Sequence, residues 1–295
     1  MNPDQLDRMR EGTGFIAALD QSGGSTPHAL ELYGVDPASY STESEMFQLM
    51  HSFRTRIISS PSFSSAHILG AILFKQTMEN TVDGVLTADY LWDQKHVVPF
   101  LKIDNGLAEM SNGVQVMKPM PQLAELLDSA NHHRVFGTKM RSLIHDADVG
   151  GVDRIVEQQF QIALEVCSKG LVPIIEPEIA IHSPGKARAE GLLLEALYSQ
   201  LDALDPQHNV MLKLTLPDVD DFYEVLVKHP RVVRVVALSG GYTRSEANVL
   251  LARNHGVIAS FSRALTEGLR IDQTPEEFDR LLLTAVESID EASRT

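Results

Sequence analysis

The sequence predicts an α/β fold, a single (β/α)8 TIM barrel spanning residues 1–295, and three observations carry that expectation. Eight short apolar segments recur along the chain, stretches of helical periodicity separate them, and the Pro- and Gly-rich spots are no longer than loops. Eight strands alternating with helices favour a closed parallel barrel over an open doubly wound sheet, and barrels of this length usually remain one domain.

The eight segments are 14–20 (GFIAALD), 68–74 (ILGAILF), 97–104 (VVPFLKID), 135–141 (VFGTKMR), 170–179 (GLVPIIEPEI), 210–216 (VMLKLTL), 232–238 (VVRVVAL) and 257–263 (VIASFSR). Near-continuous apolar runs of this kind suit strands covered on both faces. The clearest helix runs from Val152 to Lys169, where Val152, Ile155, Val156, Phe160, Ala163, Leu164 and Cys167 recur at three- and four-residue spacing and Gly170 supplies a stop. On that pattern Cys167 belongs to the core and is not a nucleophile. No strand is followed by G-x-G-x-x-G, and no G-x-x-x-x-G-K-[ST] occurs, so dinucleotide and P-loop readings lose their usual support.

Composition narrows the function. The apolar share is 43%, the mean hydropathy is −0.07, and no eighteen apolar residues run together, so a soluble chain with one large core is expected. Residues Met1 to Arg10 hold no apolar h-region, and Cys167 is the single cysteine, which points to a reducing, cytoplasmic setting. A net charge of −15 argues against nucleic acid as a partner. Any phosphorylated ligand must therefore be drawn by a local cationic pocket rather than by the field of the whole molecule.

In a barrel the active site gathers at the carboxyl ends of the strands, and the charges lie there. Asp20 ends the first segment, Lys102 and Asp104 the third, Lys139 and Arg141 the fourth, Glu176 and Glu178 the fifth; Lys213 lies within the sixth and Arg263 closes the eighth. Within each pair the spacing is two, so both side chains leave one face of the strand. Any one of them alone reads as a solvated charge at a strand end. Lys213 is the sharpest case, because it sits inside MLKLTL, where a lysine is costly unless paired or neutral.

A lysine that attacks a carbonyl must do so as the free amine, yet at an ordinary pKa near ~10.4 only about one in 2,500 is neutral at pH 7. Lowering the pKa by roughly three units corresponds to about 4 kcal/mol, which burial and an adjacent cation such as Lys139 or Arg141 can supply. Glu176 and Glu178 then offer acid and base, although ion pairing with these lysines would explain them equally. Ser239-Gly240-Gly241 after the seventh segment and Ser260-Phe261-Ser262-Arg263 in the eighth occupy the customary phosphate corner of such barrels. Asp20-Gln21-Ser22-Gly23-Gly24-Ser25 poses the same question after the first, while His132-His133 read as surface residues, since no metal-ligand spacing occurs.

Seven segments in order, AALDQSGGS (17–25), PFLKID (99–104), GTKMR (137–141), GLVPIIEPEI (170–179), MLKLT (211–215), LSGGYTRSEA (238–247) and ASFSRAL (259–265), resemble class I fructose-bisphosphate aldolase in its shorter bacterial form. The resemblance implies a metal-independent, cofactor-free lyase acting on a phosphorylated sugar, with Lys213 as the Schiff-base lysine, Glu176 as acid/base residue, and Glu178, Lys139 and Asp20 beside them. It further implies Ser239, Gly240, Ser262 and Arg263 around the C1 phosphate, Ser22, Ser25 and Lys102 around the C6 phosphate, and Ser260 and Arg141 on the substrate. Three departures stand out: the longer relatives end in a tyrosine-bearing tail absent after Glu291, Ser262 replaces a common glycine, and His28-Ala29 replace basic residues. Two rival readings are a barrel lyase binding a divalent ion through Asp104, Glu176 and Glu178, and a phosphate-sensing scaffold; homo-oligomerisation is left open.

Overall fold

The computed structural model describes residues 2–21 and 25–295. Eight parallel strands form the barrel: β1 (Phe15–Leu19), β2 (Ile68–Leu73), β3 (Val98–Lys102), β4 (Gly137–Ile144), β5 (Val172–Ile179), β6 (Val210–Thr215), β7 (Val232–Leu238) and β8 (Val257–Phe261). Each pairs with the next in sequence, and β8 returns to β1. The β3–β4 pairing, with Lys102 opposite Lys139, completes the ring, so each of the eight has two parallel neighbours.

Every expected strand is present, with ends shifted by up to three residues. The change that matters for the site is at the eighth, which stops at Phe261, so Arg263 does not close a strand but opens a short helical turn. Ser262 breaks the strand there with φ −109° and ψ −80°. The predicted helix is Val149–Ser168, started by Asp148, whose side chain accepts from Gly151 N–H, and ended before Gly170 at φ +75°. Its buried stripe runs through Val152, Ile155, Val156, Gln159, Phe160, Ala163 and Val166. Leu164, expected on that stripe, is exposed, because it lies about 100° around the axis from Ala163. Cys167 is half-buried, and burial pushes its thiol up to about 11, which suits a packed side chain better than a nucleophile.

Side chains alternate along each strand, one outward to the helices and the next inward. The inward set, Ile16, Ala18, Val98, Phe100, Val172, Ile174, Met211, Val236 and Ile258, fills the barrel as one buried apolar cluster. Gly137 belongs here for space alone, since a Cβ would lie 2.2 Å from the Val172 carbonyl oxygen and 2.9 Å from the Phe100 ring. Helix Pro3–Glu11, which hydrophobic patterning does not announce, covers the amino ends of the strands: Met9 joins the inner cluster, and Arg234 of β7 donates to the carbonyls of Met9, Arg10 and Gly12. A plugged amino end leaves the carboxyl end as the mouth.

Candidate active site

Moving two residues along each strand from the apolar plug keeps the inward face and changes its chemistry. Ala18 gives way to Asp20, Phe100 to Lys102, Ile174 to Glu176 and Glu178, Met211 to Lys213, and Ile258 to Ser260 and Ser262; Lys139 and Arg141 follow Gly137. These side chains line one cavity of about 540 Å³, joined by Asp104, Ser239, Gly240 and Arg263. The structure thus brings together every described residue that the resemblance implies for the site. Ser22 and the Ser25 side chain lie outside the described residues.

The floor is a buried ionic cluster. Glu176 bridges two lysines, with Oε1 3.1 Å from Lys213 Nζ and Oε2 2.5 Å from Lys139 Nζ, and Lys139 also donates to Asp20 Oδ2 at 3.0 Å. All four residues are less than a tenth exposed. Burial would raise the Asp20 carboxyl, but Lys139 and Lys213 outweigh it and hold the group well below the usual carboxylate range. Burial likewise opposes the Lys139 ammonium, yet Asp20 and Glu176 prevail and hold it above the usual lysine range. Lys139 is therefore a fixed cation, whereas Lys213 shares the single carboxylate of Glu176.

Around this floor the remaining carboxylates are already matched. Lys102 donates to both the carbonyl and Oδ1 of Asp104, at 2.8 and 2.7 Å, and Arg141 is ion-paired to Glu178 through Nε. Burial works against the Arg141 charge, but Glu178 more than compensates and raises it. Asp104 and Glu178 thus each face one cation and Glu176 faces two, which is not how three carboxylates around a divalent ion are arranged. Arg263 makes no ion pair among the described residues and stands exposed at the rim, beside the buried Ser239 and the Gly240 turn. Gly240 has φ +58°, and a Cβ there would meet Ile181 at 2.7 Å, so the turn requires glycine.

Backbone supports hold these groups in register. Gln159, fully buried on the helix after β4, accepts from Glu176 N–H at 2.9 Å, and the Thr215 hydroxyl both accepts from and donates to Ile179, tying β6 to β5. One wall adds residues that the sequence pattern does not mark. Leu32 and Tyr33 of helix Ser25–Tyr33 and Phe53 of helix Glu43–Ser59 line the cavity, beside Gln21, His28 and Ala29. The three- and four-residue spacing of Ala29, Leu32 and Tyr33 is the available signal.

A protein-family model described as fructose-bisphosphate aldolase class-I matches residues 7–219. The chain belongs to the class-I fructose-bisphosphate aldolase family. It is 55% identical to a fructose-bisphosphate aldolase class 1 of Porphyromonas gingivalis over 99% of both chains. It is also 55% identical to one of Clostridium acetobutylicum over the full length of both. The solved fructose-bisphosphate aldolase of Plasmodium falciparum, in complex with TRAP and a small-molecule inhibitor, superposes with a TM-score of 0.77 at 19% identity, covering 98% of this chain and 93% of that one. That likeness extends the aldolase family's barrel to a distant sequence. No helix among the described residues is long and apolar enough to cross a membrane.

Proposed function

We propose that this aldolase cleaves fructose 1,6-bisphosphate reversibly to dihydroxyacetone phosphate and glyceraldehyde 3-phosphate through a Schiff base on Lys213, serving glycolysis and gluconeogenesis in the cytoplasm as one domain, residues 1–295. The observation that carries the reading is Glu176 between Lys139 and Lys213 at the floor of the cavity. Two lysines with unequal numbers of carboxylate partners divide the work: Lys139 keeps its charge, and Lys213 supplies the amine.

In this reading Lys213 Nζ adds to the C2 ketone and the carbinolamine loses water, with Glu176 carrying the protons, to give an iminium. The iminium draws the electron pair of the C3–C4 bond as the C4 hydroxyl gives up its proton. Asp20, held ionised by two lysines, is an acceptor for that hydroxyl but binds a proton poorly, so Glu176 is the better carrier. Lys139 stabilises the oxygen charge that develops beside it. Glyceraldehyde 3-phosphate leaves, the enamine takes a proton at C3, and water hydrolyses the iminium to dihydroxyacetone phosphate. No step calls on a metal ion, because the iminium is the electron sink.

For the phosphates, Ser239, Gly240, Ser260, Ser262 and Arg263 take the C1 end, and Lys102 with Ser22 and Ser25 the C6 end; Arg141 lies between. Glu178 supports Arg141 rather than the proton transfers. Borohydride reduction in the presence of dihydroxyacetone phosphate should fix a three-carbon adduct on Lys213, and mapping it by mass to another lysine would refute the assignment.

A further inference from the structure

Gln21, just past the end of β1, donates from Nε2 to Ser262 Oγ at 2.6 Å, joining the first and eighth strands at the rim of the cavity. Ser262 occupies the N-cap position of the helical turn Arg263–Thr266, where a serine hydroxyl ordinarily accepts from its own helix; here it makes no such bond. Gln21 is anchored in turn, for its carbonyl accepts from the guanidinium of Arg54, which also donates to Thr77 Oγ1 at 2.8 Å. Arg54 is 2% exposed, and burial pulls its pKa down to about 10 against the pull of Asp20, so it stays a cation at neutral pH.

The direction of the bond matters. A hydroxyl accepts through its lone pairs and donates a single proton. Because Ser262 accepts from Gln21, its proton is left for another acceptor, and a phosphate dianion offers acceptors only. We propose that Gln21 is a positioning residue, holding the Ser262 hydroxyl as a donor to the phosphoryl group seated beside Arg263. The inference rests on the aldolase reading above, in which that corner takes the C1 phosphate.

Three variants separate this from a plain structural bridge. Gln21→Ala removes the amide and should lower kcat/KM about 3- to 10-fold, mostly through KM. Gln21→Glu keeps a bridge but reverses it, since a carboxylate takes the serine proton and sets a negative charge before the dianion; a loss of about 30- to 100-fold is expected. Fructose 1-phosphate and the bisphosphate should lose by the same factor, because both carry the C1 phosphate. In a Ser262→Ala background, Gln21→Ala should cost nothing further, within about twofold.

Near wild-type activity in Gln21→Glu with impaired Gln21→Ala would show a bridge and no more. Equal Gln21→Ala losses in both backgrounds, or losses confined to kcat, would also overturn the proposal. Borohydride trapping of dihydroxyacetone phosphate on Lys213 checks the floor in each chain: no adduct in the wild type defeats the aldolase reading itself, whereas adducts with the wrong order of variants defeat the role of Gln21 alone. Should Gln21→Glu fail to fold, the Ser262→Ala cycle decides.

Discussion

Two lysines in this barrel are buried with two carboxylates each, and they do opposite things. Lys186, on helix Lys186–Asp202, donates to Glu190 Oε1 at 2.5 Å, to Asp218 Oδ1 at 2.6 Å and to the Leu216 carbonyl at 2.9 Å, so its three protons have three acceptors. Lys139 meets Asp20 and Glu176, but Glu176 also faces Lys213, and the group of four lines the cavity. A buried lysine and its pairing are common to both clusters. What separates them is a shared acceptor and an opening to the substrate space; the first cluster opens only to solvent, at Asp218, and it ties the segment after β6 to the helix before it.

The sharpest way to break the comparison is to remove a lysine from each. Lys213→Met should abolish turnover and borohydride labelling while the chain stays folded, as the volumes match. Lys186→Met should instead leave Glu190, 1% exposed, without its cation and cost about 3–5 kcal/mol in chemical denaturation, with kcat per folded molecule unchanged. Loss of chemistry in Lys186→Met would erase the distinction.

Within the site, Glu176→Gln should lower kcat by about 10² to 10⁴ with little change in KM, while Glu178→Gln, whose carboxylate is committed to Arg141, should cost under about tenfold. Steady-state kinetics giving equal, small effects would make both structural. Next in size, Lys102→Ala should reduce kcat/KM for the bisphosphate about 10- to 100-fold and change that for fructose 1-phosphate little; Arg263→Ala should harm both.

Acid should act on the cluster in a defined direction. The Asp20 pKa is lower in the folded chain than its ordinary value near ~3.9, so its stabilising contribution is complete above that pH and fades as acid protonates it. Urea unfolding should find Asp20→Asn less stable than wild type at pH 7 and closer to it toward pH 3. The smallest effect expected is none: exhaustive EDTA should leave the rate unchanged, and loss restored by zinc or magnesium would favour the metal-bound reading of Asp104, Glu176 and Glu178.

The strands and the floor were legible because both follow from a period of two. An apolar run names a buried strand, and its alternation carries the inward face from Ile174 to Glu176 or from Met211 to Lys213 without knowledge of the partners. What was hidden depends on packing between distant elements. Gln21 and Ser262 stand 241 positions apart, and Asp218 reaches Lys186 across 32, so no local pattern signals either. The apolar neighbours of Arg263 continue the run and predict a strand; the backbone at Ser262 turns it into a helix. The amino-terminal helix escaped notice because its buried side chains are only Gln5 and Met9.

The seam between β3 and β4 sets two like charges, Lys102 and Lys139, opposite one another, and each is neutralised from elsewhere: Lys102 by Asp104, Lys139 by Asp20 of β1 and Glu176 of β5. Groups from β1 and β5 therefore meet over the β3–β4 seam only when those strands stand side by side in the ring. Lys139 lies 119 positions from Asp20, a separation that makes the contact slow to form, since the intervening strands must be in place first. During refolding, aldol cleavage should then return in step with the last tertiary signal and not with helix content, and an opened ring should carry no residual activity.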